Sequence, residues 1–116
     1  MIYVFGSNLA GRHGVGSAKV AREQYRAEYG VGVGRTGDAY AIPTKDHSLV
    51  TLPIEVIEAH IKDFMGYAKQ HPELKFYITR VGCGLSGYKH QQMAPLFKDA
   101  PANCELTLYW QQINNK

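Results

Sequence analysis

Three glycine-rich segments carry the chemistry this sequence could perform. The first, Gly6-Ser7-Asn8-Leu9-Ala10-Gly11-Arg12-His13-Gly14-Val15-Gly16, follows a short apolar run and opens into a helical pattern. The third, Gly82-Cys83-Gly84-Leu85-Ser86-Gly87, stands in the same position between a run and a helix. Backbone N–H groups without a Cβ in the way, aimed by a helix N-terminus, suit a phosphate or pyrophosphate. The spacing matches neither the dinucleotide fingerprint nor a Walker A loop, because no Gly-Lys-Ser/Thr follows. Taken alone, the first segment reads equally well as a long surface loop with turn glycines. The third is harder to explain that way, since a turn needs one glycine. Of the twelve glycines only Gly66 falls within a helical pattern. Glycine costs backbone entropy, so such clusters point to positive φ or close approach of a ligand.

A second kind of chemistry sits at Pro43-Thr44-Lys45-Asp46-His47, just after another apolar run. A lysine there could pair with a phosphate or, if desolvated, attack an anomeric carbon. The plainer reading is a solvated loop lysine. Cys83 lies between glycines, but no base adjacent in sequence supports a nucleophile, and packing is the expected role. Tyr88, directly after the third loop, is placed to cover a base or ribose. His13, His47 and His90 are too scattered to nominate a metal site, and neither a metal nor a cofactor is expected. The candidate ligand contacts are Gly6, Ser7 and Asn8, then Gly14, Val15 and Gly16, then Thr44. The third loop adds Gly82, Cys83, Gly84, Leu85, Ser86, Gly87 and Tyr88.

These segments must be positioned by ordinary elements. IYVF at 2–5 is fully apolar and reads as a buried strand. A helix is expected over about 17–29, with Ala18, Ala21, Tyr25 and Tyr29 on one stripe and Gly30 as its stop. GVGVGRTG at 30–37 is open between a loop and a glycine-rich hairpin. AYAI at 39–42 reads as a strand closed by Pro43. Thr51 is the expected N-cap of the best helix, which runs to about Gln70 with Ile54, Ile57, Ile61, Phe64, Met65 and Ala68 on one face. KFYIT at 75–79 is a third strand, a short helix covers 91–98, and CELTLYW at 104–110 alternates as a last strand before a polar tail. Strands alternating with helices favour a mostly parallel sheet, with ligands beyond the carboxyl ends of the strands. The first and third loops should therefore meet in one cleft.

Composition sets the outer limits. The 116 residues fit a single domain, and 45% hydrophobic with 20% charged residues is ordinary for a globular chain. No apolar run approaches the length of a membrane span or signal peptide. Cys83 and Cys104 show no metal or redox spacing, so reduced thiols and a cytoplasmic setting are expected. The net charge of +3 suits an anionic partner. Nucleic acid ranks last among the partners, because the cations are scattered and no binding motif is present.

The three segments together resemble a macrodomain, nearest to the branch that contains the terminal ADP-ribose protein glycohydrolase. RHGVGSAKVAREQY (12–25) is similar to that branch's MGAGIA-type loop and helix, AYAIPTKD (39–46) to its strand ending in Ile-Thr-Lys, and TRVGCGLSGYKHQQMAPLF (79–97) to its IGCGL segment. The likeness runs from Ile2 to about Tyr109, and the chain resembles short macro-like proteins found in phage and bacterial genomes. It implies a three-layer α/β/α macro fold with a mixed, mostly parallel sheet, truncated at the N-terminus. It implies ADP-ribose or a related NAD-derived nucleotide as ligand, free or attached to a macromolecule. By position, Asn8 would lie near the distal ribose, Gly14 to Gly16 would border ribose and pyrophosphate, and Gly82 to Gly87 would wrap the phosphates. Lys45 matches the lysine that forms a covalent adduct with the distal ribose. The branch's partner aspartate falls at Ser86, a poor general base, for which Asp46 or His47 would have to substitute. The upstream segment that supplies the adenine-contacting aspartate has no counterpart here. Two outcomes follow from the resemblance: hydrolysis of an ADP-ribosyl linkage through Lys45, or non-catalytic sequestration of a cyclic ADP-ribose-type signal.

Overall fold

Residues 1–115 are described by a computed structural model. Strand β1 (Ile2–Asn8) is followed by helix α1 (Gly16–Gln24), strands β2 (Gly34–Thr36) and β3 (Ala39–Lys45), and helix α2 (Ile54–Gln70). Strand β4 (Phe76–Ile78), the short helix α3 (His90–Met93) with a 3-10 turn over Ala94–Phe97, strand β5 (Cys104–Leu106) and helix α4 (Leu108–Asn114) complete the chain. The five-stranded mixed sheet has the order β2-β3-β1-β4-β5, parallel except for β2, which pairs antiparallel with β3. Of the segment left open between loop and hairpin, 30–33 is loop and Gly34–Thr36 is the first arm of a hairpin with β3.

The two apolar runs explain the layering. Side chains alternate across a strand, so Ile2 and Val4 of β1 with Tyr40 and Ile42 of β3 face one core, and Tyr3, Phe5, Ala39 and Ala41 face another. The first core is filled by Ile57, Ile61, Phe64 and Ala68 of α2 together with Met93, Phe97 and Trp110. The second is filled by Ala18 and Ala21 of α1, with Tyr25 stacked on Tyr3 at 4.4 Å. Burial on both faces is why these strands show no polar alternation. The result is helix on sheet on helices, as the α/β reading expects.

Several boundaries differ from the sequence reading, each for a local reason. β3 runs through Pro43 to Lys45, because β2 pairs only as far as Ala41 and leaves that side of β3 without a ladder for Pro43 to interrupt. Helix α1 stops at Gln24, not near Tyr29, since Arg26 takes a left-handed φ of 59°. Thr51 is not the cap of α2. It forms an isolated bridge with Lys45, and Pro53 occupies the N-cap position instead. The segment 104–110 is not one strand. Thr107 caps a helix by accepting from the Trp110 N–H, and the expected polar tail belongs to α4, where Asn114 donates to the Ala94 carbonyl.

Candidate functional site

β1 lies between β3 and β4 and runs parallel to both. Its outgoing chain turns to α1 on one face, whereas the chain leaving β4 turns to α3 on the other. Where neighbouring strands send their loops to opposite faces, a crevice opens beyond their carboxyl ends. A cleft of about 500 Å³ lies there, bordered by Gly14 from the first loop and Gly84 from the third. That volume is in the range of small-molecule sites.

The floor is made by Gly6, Ser7 and Thr44. Ser7 turns its hydroxyl away to donate to the Gly32 carbonyl. Gly32 must be glycine there, since a Cβ would lie 2.0 Å from the Asn8 carbonyl oxygen. The buried Thr44 hydroxyl donates to the Ser7 carbonyl at 3.1 Å. Its single proton is thereby spent, so the Ser86 hydroxyl, 2.7 Å away, is the donor of that second bond. The Ser86 carbonyl accepts in turn from the Thr51 hydroxyl at 3.1 Å. The third loop is thus stapled to the chain leaving β3.

The walls are backbone. No side chain caps α1 and no acid occupies its first turn. The N–H groups of Gly14, Val15, Gly16 and Ser17 on one wall have no protein acceptor among the described residues. The same holds for Gly84, Leu85 and Ser86 on the other wall. Unpaired amides at the start of a helix, reinforced by its dipole, favour an anion. Below the first wall His13 is fully buried, its Nε2 donating to the Val31 carbonyl at 3.1 Å and its Nδ1 without a partner. Burial, chiefly, pushes its pKa down, with Arg22 adding to the effect and the Val31 bond opposing it. The ring is therefore a neutral anchor under the loop.

Charge is one-sided. Arg12, Lys45 and Arg80 border the cleft, and no Asp, Glu or His does. Lys45, the last residue of β3, makes no ion pair or side-chain hydrogen bond among the described residues. Asp46 does not serve as its acid. That carboxylate accepts from the Ser48 and Val50 N–H groups at 2.8 and 3.0 Å and holds a tight turn closed. His47 is exposed and is not part of the cleft. No group of three or more His, Cys, Asp or Glu among the described residues could hold a metal ion.

Most of the expected contacts converge: Gly6, Ser7, Asn8, Gly14, Val15, Gly16, Thr44, Lys45, Gly82, Gly84, Leu85 and Ser86 all border the cleft. Asn8 does so with its amide spoken for, accepting from the Arg12 N–H at 2.9 Å and donating to the Arg12 carbonyl at 3.0 Å. Cys83, Gly87 and Tyr88 do not border it. Cys83 faces a neighbouring cavity of about 440 Å³ that shares Ser17, Arg80 and Gly84 with the cleft. Burial pushes its thiol pKa up, against the weaker pull of Arg80, which disfavours the thiolate. Gly87 closes a turn onto the Gly84 carbonyl, and Tyr88 donates its hydroxyl to the Leu52 carbonyl at 2.6 Å. Six lining residues are not among the expected contacts: Ser17, Ala18 and Val81, which flank them in the chain, and Arg12, Leu49 and Arg80. The last three are exposed side chains whose role depends on which strands are neighbours.

No protein-family model and no curated protein matches this sequence. Among solved structures, the chain is similar to a protein of unknown function from Bacteroides thetaiotaomicron. The likeness covers 90% of this chain and 86% of that one, at 15% identity and a TM-score of 0.61. A likeness at that identity is one of fold.

Proposed function

We propose that this chain is a macro-like domain that binds ADP-ribose or a related NAD-derived nucleotide across the ends of β1, β3 and β4. The observation that carries the reading is that the two glycine segments bordering one hollow of about 500 Å³ each contain backbone N–H groups with no protein acceptor among the described residues. The order of the glycine loops and the position of Lys45 agree with the family resemblance.

Binding without turnover is the better-supported form of this function. Release of a lysine–ribose adduct by water needs a group that accepts and returns protons. Ser86 has donated its proton to Thr44, Asp46 is turned into its own loop, and no carboxylate borders the cleft. The domain then sequesters an ADP-ribose-type signal, free or attached to a macromolecule. Hydrolysis through Lys45 is the second reading, favoured by one observation: an ammonium in the cleft without an acidic partner. Titration calorimetry with ADP-ribose tests the binding, and the absence of heat at millimolar ligand would end it. Recovery of intact ligand after long incubation separates sequestration from hydrolysis.

A further inference from the structure

The cleft's cations are not explained by the fold. The chain carries ten Asp and Glu residues, yet none borders the cleft or the cavity beside it. The ion pairs among the described residues are Arg26 with Asp38 and His71 with Glu73, both elsewhere. Arg12 and Arg80 therefore stand on facing walls with no carboxylate to neutralise them.

Both are exposed, but their backbones are fixed. The Asn8 amide grips the Arg12 peptide from both ends, at 2.9 and 3.0 Å. Arg80 follows Thr79, whose hydroxyl donates to the Val4 carbonyl at 2.7 Å, and its own carbonyl accepts from the Cys83 N–H at 3.1 Å. Each guanidinium thus starts from a backbone position held to the sheet or to β1's end. A guanidinium is a planar fork suited to phosphate oxygens and is weakly hydrated, so engaging an anion needs little desolvation. Arg80 also borders the adjoining cavity, together with Ser17 and Gly84. It is one of three residues common to the two hollows.

We propose that Arg12 and Arg80 hold the two phosphates of a diphosphate from opposite walls, selecting dianionic over neutral ligands. This rests on the nucleotide reading and names the groups that enforce it. The backbone amides fix where the phosphates sit, and the arginines determine whether the ligand must be charged.

The test uses the full chain, titrated with ADP-ribose, inorganic pyrophosphate and adenosine. Arg12→Gln and Arg80→Gln remove one charge each, and Lys19→Gln removes a charge outside the cleft. Each arginine variant should weaken ADP-ribose and pyrophosphate by about tenfold, as expected for a lost charged hydrogen bond. Lys19→Gln should bind as the parent does, and adenosine should give no heat. Emission from Trp110, the sole tryptophan, checks that the variants are folded. Parent-like ADP-ribose affinity in both arginine variants, or an equal loss in Lys19→Gln, overturns the arginine assignment and leaves the nucleotide reading standing. Arginine-dependent pyrophosphate binding with no ADP-ribose binding keeps the assignment and removes the nucleotide. Silence with both anions removes both.

Discussion

Replacing glycine by alanine at three positions of one loop system separates what the fold needs from what a ligand needs. At Gly14 and Gly84 a Cβ would meet nothing within 4 Å, and neither φ is in the left-handed region. Alanine there should stabilise the chain by about 0.4–1 kcal/mol through a less disordered unfolded state. For a domain of this size that raises Tm by about 2–4 °C. The same methyl would stand among the amides that face the cleft. If a phosphate rests on those amides, crowding of about 1–3 kcal/mol weakens binding by roughly five- to 150-fold. Gly11 is the contrast. Its φ is 72°, and a Cβ would lie 2.2 Å from the Gly30 carbonyl carbon. Neither backbone can yield without moving the loop, so Gly11→Ala should lower Tm by roughly 4–12 °C, from about 1–3 kcal/mol of strain. Scanning calorimetry gives the first quantity and titration with ADP-ribose the second. ADP-ribose held by Gly14→Ala and Gly84→Ala with parent affinity would refute close approach of the ligand to backbone. A lowered Tm in either would refute the open space assigned to them.

Two further outcomes follow from the site. Lys45→Ala should retain ADP-ribose binding by calorimetry, and if the chain turns over ADP-ribosylated substrate, release measured by chromatography should vanish in that variant. Undiminished release would remove the lysine mechanism. His13 gives the acid limb of stability: its folded pKa lies below the unfolded value of 6.5, so above that pH both states are neutral and nothing changes. As pH falls through 6.5 the unfolded chain takes a proton the folded one refuses, and stability drops until the folded pKa is passed. Tm plotted from pH 7 to 5 should therefore fall less steeply in His13→Phe, and an unchanged slope would show that the buried ring does not control this limb.

Some of this was legible in the residues and some was not. Ile54, Ile57, Ile61, Phe64 and Ala68 recur at steps of three and four, and helix α2 follows because that spacing aligns one face. IYVF and AYAI announce strands covered on both sides. CELTLYW misleads because its alternation is compatible with a strand, whereas Thr107 ends the strand by capping the next helix. Glycine loops are readable as sites because bare amides are a property of sequence. The Thr44–Ser86 bond joins residues 42 positions apart, and no local pattern announces it. Arg12 and Arg80 look like any surface arginine until the strand order sets their loops face to face.

The sheet is bounded by short strands on both sides. β2 and β5, at the two rims, have three residues each, whereas the seven-residue β1 and β3 lie inside. A rim of three residues offers too few free N–H and C=O groups to recruit a strand from another molecule. The apolar runs IYVF and AYAI lie in the strands between these rims, where β2 covers AYAI as far as Ala41 and β4 covers IYVF as far as Val4. Their long apolar character, which the two cores require, is thus carried by inner strands and not by the rims.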